Sequence, residues 1–181
     1  MSPRAKLSAA VAFAAVVAVF VAVPAGAATY RVSGQQVVDS PDGSKAHVTG
    51  GLLGTWQIRS FRQTAKKPLI RAHGAERFVG CIDVAHDGNC AGDPTGSLRL
   101  AFQYWAKPGS KPNTVAWGSC YHPIVSGTGD FKNATGVFTM VDTPMADGTL
   151  QTDYIGNITV GANAGTSRAH TAAARPRCGG G

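Results

Sequence analysis

Few side chains in this sequence have the type and spacing that catalysis requires. His122 stands between Tyr121 and Pro123 and is the one histidine within a strand-like segment of the C-terminal half. An imidazole can transfer protons near neutral pH, although a lone histidine is more often a hydrogen-bonded structural residue. Ser126 has a glycine on one side only, which argues against the Gly-x-Ser-x-Gly turn of serine hydrolases. No histidine pair has the spacing of a zinc site, and no phosphate-binding loop is present.

Three carboxylates lie close together around Gly88, namely Asp83, Asp87 and Asp93. Oxygen ligands spaced by a few residues around a glycine are typical of calcium-binding loops. The spacing lacks the full EF-hand pattern and its final glutamate. We therefore interpret the segment as a solvated acidic turn, with a calcium site as the alternative, and we predict neither a metal nor another cofactor.

The N-terminal residues have the three zones of a secretory signal peptide. Arg4 and Lys6 precede an Ala/Val/Phe-rich run from Leu7 to Val23, and small residues follow it up to Ala28. A membrane anchor is the alternative, but an anchor needs ~20 apolar residues, and this run is shorter and rich in alanine. We predict a signal peptide over residues 1–27 and a secreted, extracellular mature protein with no membrane association.

The charge of the mature chain points to no particular partner. Removal of the signal peptide lowers the formal net charge from +7 to +5. No Lys/Arg cluster is interleaved with aromatic residues, as a nucleic-acid groove would require, so we predict no nucleic-acid partner. A mature chain of about 150 residues is suited to a single domain.

The chain contains four cysteines, and in an exported protein cysteines favour disulfides. Cys81 and Cys90 bracket a loop of eight residues, which predicts a disulfide between them, with two buried thiols as the alternative. Cys120 either pairs with Cys178 or forms no bridge. The second bridge has weak support because Cys178 lies in the C-terminal segment.

Short segments with the two-residue alternation of β-strands make up most of the mature chain. Residues 97–105 show the pattern best, since their apolar side chains fall on one face. Turn sequences such as Asp87-Gly88-Asn89 separate the segments. Such a series predicts an all-β domain, either a closed barrel or a sandwich. The candidate strands are Tyr30–Val38, Ala46–Gly50, Thr55–Arg62, Arg77–Val84, Ser97–Trp105, Val115–Val125, Thr135–Asp142 and Leu150–Val160.

The segment from Ser126 to Gly136 is the most distinctive in the chain. Its glycines and a single aromatic residue describe a tight strand–turn–strand corner anchored by Phe131. The segment resembles the Gly-Thr-Gly-x-Phe-x-x-Ala-x-Gly signature of dirigent proteins and the allene oxide cyclase barrel family. Its flanks, Cys120–Ile124 and Val141–Pro144, look most like the secreted bacterial branch. The matching residues are Gly127, Thr128, Gly129, Phe131, Ala134 and Gly136.

The resemblance extends over residues 51–160 and implies a single eight-stranded antiparallel β-barrel with an axial cavity. We expect this barrel over residues 28–160, with short turns. Residues 161–181 are rich in Ala, Gly, Thr and Arg, and we expect them to form a flexible, disordered tail. Plant members of the family steer or accelerate cyclisation and coupling of hydrophobic small molecules, often as trimers, so the resemblance also implies a homo-oligomer. Asp142 and Asp153 are carboxylates near the motif, and with His122 they are our candidate catalytic residues.

Three functions are consistent with these features. The first is a secreted barrel that binds a small hydrophobic or aromatic molecule in its cavity. The alternatives are an enzyme of the cyclase or isomerase type acting on such a molecule, and a non-catalytic extracellular interaction protein. The candidate ligand-lining aromatics, which could equally form a filled core, are Trp56, Phe102, Tyr104, Phe138 and Tyr154.

Overall fold

The structure is a computed structural model that describes residues 26–40, 42–65, 68–110, 114–146 and 150–161. The predicted signal peptide lies outside the described residues except for residues 26 and 27, and the predicted tail except for residue 161. No helix in these ranges is long and apolar enough to cross a membrane. In chain order the strands are β1 (Ala28–Val38), β2 (Lys45–Gly50), β3 (Leu52–Ala65), β4 (Ile70–Ile82), β5 (Thr95–Pro108), β6 (Val115–Gly129), β7 (Thr135–Pro144) and β8 (Leu150–Val160).

The eight strands form a closed antiparallel barrel in which each strand pairs with the next one along the chain. The ring closes between β1 and β8, in a register that runs from Ala28 opposite Val160 to Gln36 opposite Thr152. The predicted all-β, eight-stranded antiparallel barrel is confirmed, and closure excludes the sandwich. Because side chains alternate between the two faces of a strand, every second residue points into the barrel.

The two ends of the barrel differ. We call the end with the β2–β3, β4–β5 and β6–β7 connections the floor and the opposite end the mouth. The floor half is filled by apolar side chains, and burial of each large one stabilises the fold by about 1.5–3 kcal/mol. These buried residues include Val32, Leu52, Phe78, Ile82, Leu98, Phe131, Ile158 and Val160.

The segment that resembles the dirigent signature forms the β6–β7 corner of the floor. Phe131 is completely buried, and its backbone N–H donates to the carbonyl oxygen of Thr128 at 3.2 Å. Gly129 has a φ of 64°, in the left-handed region that favours glycine. A Cβ atom on Gly127 would lie 2.1 Å from the carbonyl oxygen of Phe131. The motif therefore builds the corner.

The acidic loop between β4 and β5 is held by its own hydrogen bonds and by a disulfide. Cys81 and Cys90 are bonded, with an S–S distance of 2.00 Å. The buried carboxylate of Asp83 accepts the backbone N–H groups of Asp87 and Gly88 at 3.1 and 3.0 Å. Within the described residues no group of three or more His, Cys, Asp or Glu side chains is arranged to hold a metal ion. Asp93 accepts the backbone N–H of Val84 at 3.3 Å. The predicted partner of Cys120, Cys178, lies outside the described residues.

Loss of the disulfide should lower stability through the entropy of the unfolded chain. We expect Cys90→Ser to reduce the free energy of unfolding by about 2–3 kcal/mol, the value for a short closed loop, in urea denaturation followed by tryptophan fluorescence. Wild-type protein reduced with dithiothreitol is the control and should match the variant. A loss below about 0.5 kcal/mol would show that the bridge does not stabilise the fold.

Candidate functional site

A group of buried polar side chains lies between the middle of the barrel and its mouth. Glu76 on β4 is only 7% exposed, and its Oε2 atom accepts the indole N–H of Trp56 at 2.7 Å. The Nδ1 atom of His122, on β6, lies 2.7 Å from the same oxygen. His122 itself is 1% exposed. One carboxylate oxygen therefore joins three strands, β3, β4 and β6.

The hydrogen bonds at Glu76 favour one tautomer of His122. The indole N–H can only donate, so a Glu76 carboxylate would accept from Trp56 and from an N–H at Nδ1 of His122. This tautomer leaves a lone pair on Nε2 when the imidazole is neutral. The Nε2 atom is buried and has no hydrogen-bond partner among the described residues. A buried polar atom without a partner costs about 1–3 kcal/mol, so this histidine is not optimised for stability alone.

A second buried pair lies closer to the mouth. Tyr104 on β5 shares a side-chain hydrogen bond with Asp142 on β7. The hydroxyl group of Thr152 donates to Oδ1 of Asp142 at 2.7 Å. Burial raises the pKa of Asp142, against the lowering effects of these two hydroxyl groups and of the neighbouring His122 side chain. The two pairs are therefore electrostatically coupled, and together we call Trp56, Glu76, Tyr104, His122, Asp142 and Thr152 the polar cluster.

A glycine makes room for the second pair. Gly118 on β6 lies opposite Asp142 in the β6–β7 register. A Cβ atom at this position would lie 2.8 Å from the hydroxyl oxygen of Tyr104 and 2.9 Å from Oδ2 of Asp142. Any larger residue at position 118 would displace one of these groups. Burial also raises the pKa of Tyr104 strongly, and the negative charge of Asp142 raises it further.

Aromatic rings surround His122 and fill the space between its imidazole and the protein surface. Phe102 stacks on the imidazole, with ring centroids 6.0 Å apart, and Trp56 meets it edge-on at 5.9 Å. Phe61 packs against Phe102 and is 55% exposed. Two phenyl rings therefore separate the buried imidazole from solvent along this line.

A small cavity lies beside the polar cluster at the mouth. Its volume is about 50 Å³, and its lining includes both Trp56 and Glu76. This volume is sufficient for water, whereas small-molecule sites usually occupy about 300–1,000 Å³. A metabolite could enter only if neighbouring side chains moved. The remaining lining residues are Gln36, Val38, Gly43, Ser44, Ala46 and Ile58.

A larger and shallower groove of about 330 Å³ lies on the outer face of β1, β7 and β8. Val137, Thr139 and Ile155 line it, together with Arg31 and Asn157. Among the described lining residues only Arg31 is ionisable, and a guanidinium stays protonated in proteins, so these residues offer no general acid or base. The polar cluster is therefore the better candidate for chemistry.

The structure separates the three candidate catalytic residues. His122 and Asp142 belong to the polar cluster. Asp153 is on the outer face, where its Oδ1 accepts a hydrogen bond from the side-chain amide of Gln35 at 3.2 Å. Asp153 is therefore removed from the candidates, because alternation along β8 directs Tyr154 inwards and Asp153 outwards.

The five candidate ligand-lining aromatics all lie inside the barrel, and their part in ligand binding stays a prediction. Tyr154 has a structural role. Its hydroxyl group donates to the carbonyl oxygen of Thr49 at 2.8 Å and accepts the backbone N–H of Leu52 at 2.9 Å. Burial raises the pKa of Tyr154 to about 12. Both hydrogen bonds of this hydroxyl group are therefore made to the backbone of the barrel wall.

Sequence reasoning missed Glu76, Gly118 and Thr152. Glu76 was missed because the candidate strand began at Arg77, whereas β4 begins at Ile70. Extending the alternation backwards from the buried Phe78 would have placed Glu76 on the inner face. Thr152 could have been found in the same way from Tyr154.

No known family model matches this sequence, and no curated protein matches it either. The resemblance to the dirigent and allene oxide cyclase barrel family therefore stays a prediction.

The raised pKa of Asp142 predicts how stability depends on pH. A carboxyl group whose pKa is higher in the folded than in the unfolded state stabilises the fold at low pH. This contribution is lost as the pH rises above 3.8, the ordinary pKa of an aspartate side chain. We expect the free energy of unfolding of the wild type, relative to Asp142→Asn, to fall between pH 3.5 and 7. Each pKa unit corresponds to about 1.4 kcal/mol.

Urea denaturation at a series of pH values tests this prediction. Asp153→Asn is the matched control, since it changes a carboxylate on the outer face of the neighbouring strand. A relative stability of the wild type that rises with pH would contradict a pKa of Asp142 that is raised by burial.

Proposed function

We propose that this chain is a secreted barrel protein that binds a small, mostly apolar molecule in the mouth half of the barrel. The polar cluster would hold the polar group of that molecule. The observation that carries the proposal is the incompletely satisfied cluster itself, in which the buried Nε2 of His122 has no partner among the described residues. A buried polar atom that has no hydrogen-bond partner commonly has a functional explanation.

The cost of the polar cluster supports a functional role. A buried pair of ionisable groups is often no more stable than well-packed apolar residues of the same volume. Apolar residues fill the floor half of this barrel, so apolar residues could also have filled the mouth half. A mostly apolar pocket with a few fixed polar groups is the usual form of a small-molecule site.

The side chains around the cluster can make room for a ligand. Met140 is buried on β7, between Phe138 and Asp142 on the inner face. Methionine is unbranched and flexible, so it adapts to several packing arrangements. A change in its rotamer would open space beside Phe138 and Asp142 on the inner face of β7.

The cluster also limits the class of ligand. Glu76 is a carboxylate at the cavity, and a ligand anion beside it would be repelled in a low-dielectric interior. The aromatic rings around His122 favour a flat, apolar molecule. A neutral aromatic or unsaturated compound with one hydrogen-bonding group fits best.

Secretion is supported by the signal-peptide pattern and by the disulfide between Cys81 and Cys90. The homo-oligomer implied by the family resemblance stays a prediction.

A cyclase or isomerase acting on the bound molecule is the second candidate function. The buried pairing of Glu76 with His122 favours it, because buried titratable pairs beside a cavity are typical of catalytic sites. Orientation of a flexible substrate by the barrel wall would contribute to such a reaction.

Binding of N-phenyl-1-naphthylamine, a neutral fluorescent probe, tests the proposed site. We expect saturable binding with one probe per mature chain, measured by the rise in probe fluorescence. Met140→Phe fills the mouth half and should weaken binding at least about tenfold, the equivalent of about 1.4 kcal/mol. Met140→Ala removes buried volume and should strengthen it.

The matched control is Val141→Phe, which adds the same ring on the outer face of β7, where Val141 is 45% exposed. Circular dichroism confirms that each variant is folded. Equal losses in the two phenylalanine variants, or no saturable binding, would contradict a site inside the barrel.

A further inference from the structure

We propose that the polar cluster catalyses proton transfer within a neutral, unsaturated carbonyl compound. In this proposal His122 Nε2 accepts the proton, Glu76 is a positioning residue, and the hydroxyl group of Tyr104 donates a hydrogen bond to the carbonyl oxygen. The inference rests on the proposed binding site and assigns it a substrate class and a reaction.

The surroundings of His122 suit a general base. Glu76 Oε2 lies 2.7 Å from Nδ1, and as a carboxylate it favours the tautomer with the N–H on that side of the ring and the lone pair on Nε2. Phe102 and Trp56 hold the ring from two directions. When Nε2 takes a proton, the imidazolium neutralises the buried Glu76 carboxylate. The carboxylate therefore stabilises the imidazolium that forms while the substrate takes up negative charge, and this favours the transfer in an apolar site.

A hydrogen-bond donor for the carbonyl group lies on the neighbouring strand. Tyr104 is opposite Cys120 in the β5–β6 register, two residues from His122. Diagonal neighbours of this kind have Cα atoms about 7–8 Å apart, a separation that a carbonyl group and its α- or γ-carbon can bridge. In its neutral form Asp142 would donate its own proton to the phenol oxygen of Tyr104, which leaves the single O–H of Tyr104 for the carbonyl oxygen. Burial favours that form by raising the pKa of Asp142.

The reaction balances without a further reactant. His122 Nε2 removes a proton from the carbon α or γ to the carbonyl group, and the C–H electrons form a new C=C bond. The carbonyl π electrons move to oxygen, where Tyr104 stabilises the negative charge. The imidazolium then returns the proton to a different carbon, the C=O bond re-forms, and Nε2 regains its lone pair. The product is a double-bond isomer of the substrate.

The first experiment measures hydrogen exchange in 2-cyclohexen-1-one, used as the probe ketone. The mature protein in D₂O should accelerate exchange of the γ-protons above the buffer rate, followed by ¹H NMR. His122→Asn keeps an amide N–H at the position of Nδ1 and removes Nε2, and it should lower this acceleration at least 100-fold, as for loss of a general base. His73→Asn is the matched control, because His73 is exposed on β4, and should leave the rate unchanged.

Two further measurements test the role of Glu76 as a positioning residue. Glu76→Gln should lower the exchange rate and move its pH profile, since the carboxamide no longer favours the imidazolium. ¹⁵N NMR of histidine-labelled protein at pH 8 should show an unprotonated Nε2 and a protonated Nδ1 on His122. The opposite tautomer would overturn the assignment of the base.

Parallel titrations with N-phenyl-1-naphthylamine separate this inference from the binding proposal. If the wild type binds N-phenyl-1-naphthylamine but does not accelerate hydrogen exchange in the ketone, the proton-transfer proposal is overturned and the binding proposal is retained. Unchanged exchange in His122→Asn would also overturn it. Absence of both binding and exchange would overturn both proposals.

Discussion

Pairing of β1 with β8 is the constraint on which the rest of the structure depends. Their register runs without interruption from Ala28 opposite Val160 to Gln36 opposite Thr152, and it turns an open sheet into a closed barrel. Closure divides every strand into an inner and an outer set of residues. It brings Trp56, Glu76 and His122 together, although Glu76 and His122 are 46 residues apart in sequence.

The closed barrel has two kinds of interior. The floor half, sealed by the corner around Phe131, supplies apolar burial and hence most of the stability. The mouth half gives up part of that burial to hold carboxylates, an imidazole and a phenol in fixed positions. A rigid floor can support a less stable site, and this division of labour is common in proteins that bind or transform small molecules.

Local patterns were sufficient to predict about eight strands and the Cys81–Cys90 disulfide. They could not distinguish a barrel from a sandwich, since that depends on the long-range pairing of β1 with β8. Glu76 escaped notice because the candidate strand began at Arg77, and because Gly74 and Glu76 itself stand where apolar residues would continue the inner face of β4. Asp142 and Asp153 looked equivalent in sequence, and only their strand faces separate them. The Nε2 atom of His122, which has no partner in the part of the chain that the structure describes, is a tertiary feature that no sequence pattern reports.

The central claim is that Glu76 and His122 are kept for function at a cost in stability. Urea denaturation of the double variant Glu76→Met/His122→Phe tests it most directly. A functional pair predicts a free energy of unfolding equal to that of the wild type or higher by up to about 4 kcal/mol, with probe binding lost. A double variant that is several kcal/mol less stable and still binds the probe would show that the pair serves the fold, and would contradict the account.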